Sequence, residues 1–253
     1  MSIFLRESDL NSMRQSGKIL ADTIKEAKKY ILPGMKTAFI DEIVEKFIVQ
    51  RGARPAFKGY RGFPASLCIS INEQVVHGIP GERVIQDGDL VSVDIGVEYQ
   101  GYYTDAAFSV VAGNSNGIAY QLVKVAKESL FEGIRKAKAG NRIGDVSNAI
   151  QKYIEKNNFS VVRDFVGHGL GLSLHEEPQI PNFGPKNQGP LIKKGMVLAI
   201  EPMVNEKGFQ VQILDDGWTV VTRDQGLSAH YEHTVLITED GPEILTMDRR
   251  GDE

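Results

Sequence analysis

The same succession of elements is written twice in this chain, and that repetition narrows the folds open to it. Adding 106 to Gly34, Ile40, Val44, Phe47 and Ile48 gives Gly140, Val146, Ile150, Tyr153 and Ile154. In the first half, Met13, Gly17, Leu20, Ile24, Ala27 and Ile31 alternate steps of four and three, which puts small and apolar residues on one helical face. Pro33-Gly34 stops that helix, and Thr37 is the N-cap candidate for a second one carrying Ile40, Val44, Phe47 and Ile48 and ending near Gly52. Residues 67–76 and 89–111 then read as strands. In the second half, Leu122, Ala126, Leu130, Gly133 and Ala137 share a helical face, Gly140 breaks it, and Ile143, Val146, Ile150, Tyr153 and Ile154 supply the next. Strands recur over 161–166, 196–204 and 231–238. Near them an offset of 107 carries Gly88 to Gly195 and Asp94 to Glu201. Amphipathic periodicity alone recurs in most helical domains. A carboxylate landing on a carboxylate, six residues after a glycine in both halves, does not. The expectation is an α+β fold of two duplicated halves, about 1–112 and 118–240, in one domain spanning 1–253.

Those carboxylates are the second constraint. DLVSVDIGVEYQGYYTDAAFSVV, from Asp89 to Val111, reads as one hairpin, and a turn centred between Tyr99 and Gln100 sets Asp94 opposite Asp105. Asp is a poor strand former, and like charges across a ladder repel. Buried among valines and isoleucines, the pair must share a proton or hold a cation; the alternative is that register slips and both point to solvent. Glu201 ends the apolar run MVLAIEP and Glu232 opens EHTVLIT, so the oddity occurs twice more. The five histidines stand at 77, 168, 175, 230 and 233, with His168 between two glycines in GHGLG and the last pair flanking Glu232. Four carboxylates with one imidazole suit two divalent cations of the Mn, Fe, Co or Zn type about 3.5–4 Å apart.

Composition removes several other classes. Lys and Arg number 29 against 33 Asp and Glu, a net charge of −4, which argues against a broad nucleic-acid footprint. The single cysteine, Cys68, allows neither a disulfide framework nor a cysteine zinc cage. The start MSIFLRESDLNS is polar too soon for a secretory signal, and no apolar run approaches a membrane span, so a cytoplasmic protein is expected. A cysteine-protease reading of Cys68 finds no base or orienting pair nearby in sequence.

Asp94, Asp105, His168, Glu201 and Glu232, in that order and spacing, resemble the metal ligands of the pita-bread metallopeptidases, and within them the type I methionine aminopeptidases. GYRGFPASLCISINEQVVHGIPG, the hairpin, GHGLGLSLHEEPQIPNF, GMVLAIEPMV, DGWTV and SAHYEHTVLIT carry the resemblance across nearly the whole chain. It implies a fold of two halves about a pseudo-twofold axis, with antiparallel sheet and flanking helices. It implies removal of N-terminal methionine ahead of a small residue by water activated between two divalent ions. Asp94 would hold one ion, Asp105 and Glu232 would bridge both, and His168 with Glu201 would hold the other. His77 and His175 would contact the scissile peptide, and Glu201 would relay the proton. Tyr60, Phe63, Cys68, Leu174 and Trp218 would line the pocket for the methionine side chain, with Phe57 nearby. Phe57, Phe63, Leu174 and His230 depart from residues that relatives carry there. The implied substrates are the N-termini of nascent polypeptides, the implied state is a monomer, and the ribosome is a candidate partner. Neither an N-terminal extension domain nor the long second-half insertion of type II enzymes is expected. Two alternatives stay open on sequence: an X-Pro peptidase of the same fold, and a non-catalytic module that binds peptides or proteins.

Overall fold

The computed structural model of the chain describes residues 7–115 and 117–247; the polar start, residues 1–6, lies outside them. Helices α1 (Glu7–Lys28) and α2 (Thr37–Val49) belong to the first half, α3 (Gly117–Ile134) and α4 (Ile143–Lys156) to the second. The residues of the periodic faces go where the period sends them: Leu20, Ile40, Val44, Ile48, Leu122, Leu130, Val146, Ile150 and Ile154 are all fully buried in one core. Two glycines on those faces mark close approaches. A Cβ on Gly17 would meet the Leu245 carbonyl oxygen at 2.3 Å, and one on Gly133 would meet Ile150 Cγ1 at 2.7 Å. Among the described residues no helix is long and apolar enough to cross a membrane.

The two halves repeat each other down to individual hydrogen bonds. The chain leaving the first helix of each half turns at Gly34 (φ 91°) or Gly140 (φ 92°), where a left-handed backbone favours glycine. Gly34 N–H then donates to Ile85 O at 2.8 Å, as Gly140 N–H does to Ile192 O at 3.0 Å. Likewise Thr37 N–H donates to Arg83 O and Ile143 N–H to Pro190 O, satisfying orphan donors at the starts of α2 and α4. Thr37 is therefore not the cap: Lys36 takes that position with no side-chain bond, and the Thr37 hydroxyl is spent on Gly81, donating to its carbonyl at 3.0 Å and accepting from its N–H at 2.9 Å.

Strands Leu90–Tyr99 and Tyr102–Val111 form the expected hairpin, but with a different register. Asp94 faces Ala107 and Asp105 faces Gly96. The turn residues are Gln100 (φ 52°) and Gly101 (φ 85°), and a two-residue turn with both in the left-handed region matches the strand twist and places glycine second. The pairing is shifted by two residues from the sequence expectation, so side-chain parity is unchanged. Asp94 and Asp105 stay on one face as diagonal neighbours. The sheet continues through Cys68–Ile71 and Arg54–Pro55, both paired with Leu90–Tyr99.

In the second half, five strands run in the order Pro242–Ile244, His233–Ile237, Val197–Ile200, Gly167–Gly169, Glu176–Ile180. The expected strand 196–204 is broken at Glu201-Pro202 into Val197–Ile200 and Met203–Asn205, because proline cannot donate to a ladder. Of the stretch 231–238, His233–Ile237 is strand, with a separate strand Ser228–His230 just before it, and of 161–166 only Val161 is strand, at the end of Ser160–Val161. The halves meet where Tyr102–Val111 lies along His233–Ile237. Ala107 and Glu232 exchange backbone hydrogen bonds of 3.3 and 2.9 Å. Beside them the Thr234 hydroxyl accepts from Asp105 N–H at 2.9 Å and donates to Asp105 O at 2.7 Å. Asp105 and Glu232 thus stand on the seam itself, fixed by bonds from the opposite half.

Candidate metal centre and active site

Each acidic side chain is held by a rigid element. Asp94 is in mid-strand between Cys68 and Ala107. Asp105 and Glu232 sit on the seam, and Glu201 follows directly on Val197–Ile200, with its backbone carbonyl accepting from Asn182 Nδ2 at 3.0 Å. His168 is the middle residue of Gly167–Gly169, wedged between Gln179 and Ala199 on the neighbouring strands. A Cβ on Gly167 would lie 2.3 Å from Ala199 O, and one on Gly169 would lie 2.4 Å from Glu177 O. The flanking glycines are therefore a condition for the imidazole to sit this deep in the sheet.

Ligand atoms of Asp105, His168 and Glu232 all lie within 4.8 Å of one another. His168 Nδ1 faces the Gly169 carbonyl at 2.9 Å, and since a carbonyl only accepts, Nδ1 carries the proton. Nε2 is left with its lone pair, 3.7 Å from Glu201 Oε1. A ligating histidine is ordinarily fixed by such a backbone bond. Asp94 Oδ1, Asp105 Oδ1 and Glu232 Oε1 are buried with no hydrogen-bond partner among the described residues. Buried acceptors are almost always satisfied, so orphaned oxygens converging beside a free imidazole nitrogen fit divalent cations as their missing partner.

Electrostatics agree with the geometry. Burial drives the Asp94 carboxyl up to about 7. Burial raises Asp105, Glu201 and Glu232 well above the usual carboxylate range, and the charge of neighbouring carboxylates adds to it. Burial lowers His168 to about 4 and His230 to about 3, so both rings are neutral near pH 7. Cys68 is buried beside Asp94, and desolvation followed by that charge pushes its thiol well up. It stays protonated at neutral pH, which leaves nothing for a cysteine nucleophile.

The five ligand candidates line one cavity of about 150 Å³ together with His77, His175, Tyr60, Phe63, Cys68, Leu174 and Trp218, every site residue read from the sequence. That volume is far above the ~10–15 Å³ a single water needs, so the cavity admits a side chain. His175 stacks on Tyr60 (centroids 5.2 Å apart, planes at 25°), and its Nδ1 lies 2.9 Å from the tyrosine hydroxyl. Its ring centroid is 4.2 Å from that of His168. His175 is exposed overall, but partial desolvation of its ring, then His168, Arg61 and His77, lowers it to about 3. His77, lowered by burial, holds a left-handed backbone (φ 59°) and meets Trp218 edge-on at 6.3 Å. Phe57, expected near the pocket, lines it. Two neighbours were given no site role from the sequence. Arg61 lines the cavity next to Tyr60, and His230 Nε2 reaches to 3.7 Å from Glu201 Oε2. Position beside a motif tyrosine was a signal for the first; for the second there was only its closeness to Glu232.

Residues 11–239 match metallopeptidase family M24. The methionine aminopeptidase of Clostridium perfringens is 53% identical over 247 residues, covering 98% of this chain and 99% of that protein. The chain belongs to the methionine aminopeptidases of metallopeptidase family M24. Methionine aminopeptidase 1 of Bacillus subtilis is 52% identical, over 94% of this chain and 96% of that one. The crystal structure of the Thermotoga maritima methionine aminopeptidase superposes with a TM-score of 0.96 at 45% identity, covering 98% of this chain and all of that one. Prolidase from Pyrococcus horikoshii shares the pita-bread fold alone, with a TM-score of 0.80 at 23% identity over 66% of its length. Membership in a methionine aminopeptidase family of metallopeptidases implies divalent metal ions, and the donor set described above fits them.

The shifted carboxyls have a consequence for stability. A carboxyl whose folded-state pKa is raised contributes stability that is fully present below the unfolded value and is lost as pH rises from there through the folded value. The lowered histidines act in the opposite sense, but only below about pH 6.5, where the unfolded imidazole charges. Between pH 6.5 and 8 the carboxyls alone set the slope. The metal-free protein is expected to melt at progressively lower temperature across that window, and Mn²⁺ is expected to raise the melting point more at pH 8 than at pH 6.5. Scanning calorimetry with and without chelator measures both. A flat metal-free profile would contradict the buried, cation-dependent cluster.

Proposed function

We propose that this methionine aminopeptidase binds two divalent ions of the Co, Mn, Fe or Zn type and removes the N-terminal methionine of nascent polypeptides when the second residue is small. One observation carries the reading: four carboxylates, Asp105 and Glu232 buried and Asp94 and Glu201 half-buried, and the Nε2 of His168 open into the same cavity as an apolar wall of Phe63, Cys68, Leu174 and Trp218. Asp94 would hold one ion, His168 and Glu201 the other, and Asp105 and Glu232 both. When bound, such a pair supplies an activated water at neutral pH and polarises the scissile carbonyl.

The chain's own groups do the rest. Glu201, half-buried and with its carboxyl raised by desolvation, is suited to take a proton and pass it to the departing amine. Tyr60 O–H donating to His175 Nδ1 leaves Nε2–H free to donate to the oxyanion that develops on the substrate carbonyl. His175 is neutral, so it stabilises that charge as a dipole and not as a cation. His77 stands by Trp218 to contact the peptide at its nitrogen or carbonyl. The soft, polarisable wall around Cys68 and Trp218 suits a thioether chain. A bulky second residue would displace the carbonyl from these donors, and small misplacements are costly in rate. The two halves act as one catalytic unit, since each supplies ligands the other lacks. We place the enzyme in the cytoplasm as a monomer, with the ribosome as the partner presenting emerging N-termini.

Peptides of equal length starting Met-Ala, Met-Leu and Ala-Pro test the specificity. Rapid cleavage of Met-Ala alone is expected, and preference for Ala-Pro would favour X-Pro peptidase activity instead. The roles of the two neighbouring histidines separate by variant. His168→Ala is expected to lose metal affinity, with activity recovered in part at high metal concentration. His175→Ala is expected to bind metal like the wild type in titration calorimetry while kcat falls by ~10²–10³. A metal-binding defect in His175→Ala, or full rescue of its kcat by excess metal, would refute the assignment.

A further inference from the structure

Glu201 differs from the other three carboxylates in having an imidazole on each oxygen. Oε1 lies 3.7 Å from His168 Nε2, and Oε2 lies 3.7 Å from His230 Nε2. His230 is 2% exposed, and its Nε2 is buried with no hydrogen-bond partner among the described residues. A buried ring nitrogen without a partner is costly unless something it can bond to is brought to it.

The backbones of both residues are tightly held, so the open question at this corner is where the glutamate carboxylate turns. Strand Ser228–His230 pairs with Met203–Asn205 so that His230 faces Met203, two residues beyond Glu201. Ser109 Oγ accepts from His230 N–H at 2.9 Å and lies 2.8 Å from its carbonyl oxygen, anchoring it to the first half's hairpin. Asn182 holds the Glu201 carbonyl at 3.0 Å. Between these fixed points, the Glu201 side chain keeps freedom only about its own torsions.

We propose that His230 is a positioning residue for Glu201, donating from Nε2–H to Oε2 and thereby turning Oε1 toward the metal. This rests on Glu201 being a metal ligand. The present 3.7 Å is less than about 1 Å beyond a normal N–H···O length, a gap that a torsional adjustment of an ionised carboxylate closes. Polar groups that orient metal ligands commonly govern affinity by 10–100-fold. A neutral ring has one N–H to give, so His230 serves as a donor in the same sense as an amide.

Two substitutions separate the donor from the ring. His230→Phe keeps the ring and removes the donor; His230→Gln keeps a donor and removes the ring. Each is titrated with Mn²⁺ by calorimetry, with thermal melts to confirm folding and with kcat and KM on a Met-Ala-Ser peptide at saturating metal. His230→Phe is expected to weaken at least one Mn²⁺ site by about 10–100-fold, with His230→Gln near the wild-type affinity. His230→Ala gives the same reading should the phenyl ring prevent folding. Wild-type affinity in both donor-free variants would overturn the proposal. So would an equal loss in His230→Gln, which would mark the imidazole as a direct ligand. Failure of the wild type itself to bind Mn²⁺ would overturn the metal reading of Glu201, a result distinct from either.

Discussion

Four carboxylates packed side by side, Asp105 and Glu232 buried and Asp94 and Glu201 half-buried, cannot all ionise without a counter-charge, and the rest of the structure is arranged around that constraint. Holding Asp94 charged at pH 8 against a folded-state value of about 7 and an ordinary value of 3.8 amounts to about 4 kcal/mol of unfavourable environment. A domain has only ~5–15 kcal/mol of net stability to set against it. Three more groups are shifted in the same direction, well above their ordinary values. The cluster therefore calls for protons or divalent cations to offset its charge. Rigid strands on every side keep it from relaxing toward solvent.

The duplicated plan explains how such a cluster is built. Asp94 and Asp105 come from the first half, and His168, Glu201 and Glu232 from the second. The halves join along the seam where Ala107 and Glu232 exchange backbone hydrogen bonds and Thr234 clamps Asp105. Neither half alone brings together the three ligand atoms of Asp105, His168 and Glu232. Because Asp105 and Glu232 repel each other across the seam, a cation held there would tie the halves to each other. The apolar wall of Phe63, Cys68, Leu174 and Trp218 lines the same cavity as the carboxylates.

Much of this was legible in the sequence, for identifiable reasons. Helical periodicity is a long-range signal, so Leu20, Ile40, Leu130 and Ile150 fell in the core as expected. Carboxylates inside apolar runs are conspicuous, so all four were recognisable before any geometry. The hairpin register was misjudged by two residues because the turn was centred on Tyr99-Gln100, when the left-handed pair is Gln100-Gly101. The error left Asp94 and Asp105 on one face only because strand parity survives a shift of two. Strands of two or three residues, such as Ser160–Val161 and Gly167–Gly169, carry too little alternation to be placed. The pocket wall came from family resemblance alone, since Trp218 and Leu174 look like ordinary core residues. His230 was visible as a histidine near Glu232, but its approach to Glu201 depends on pairing between distant strands.

The central claim is that the carboxyls hold protons until divalent cations replace them. Titration calorimetry of Mn²⁺ into metal-free protein at pH 6.5, repeated in buffers of different ionisation enthalpy, counts the protons released on binding. The account requires more than one proton released per chain at that pH, because Asp105, Glu201 and Glu232 are raised well above their ordinary values and Asp94 to about 7. Tight Mn²⁺ binding with a heat independent of buffer, and hence no proton release, would contradict it.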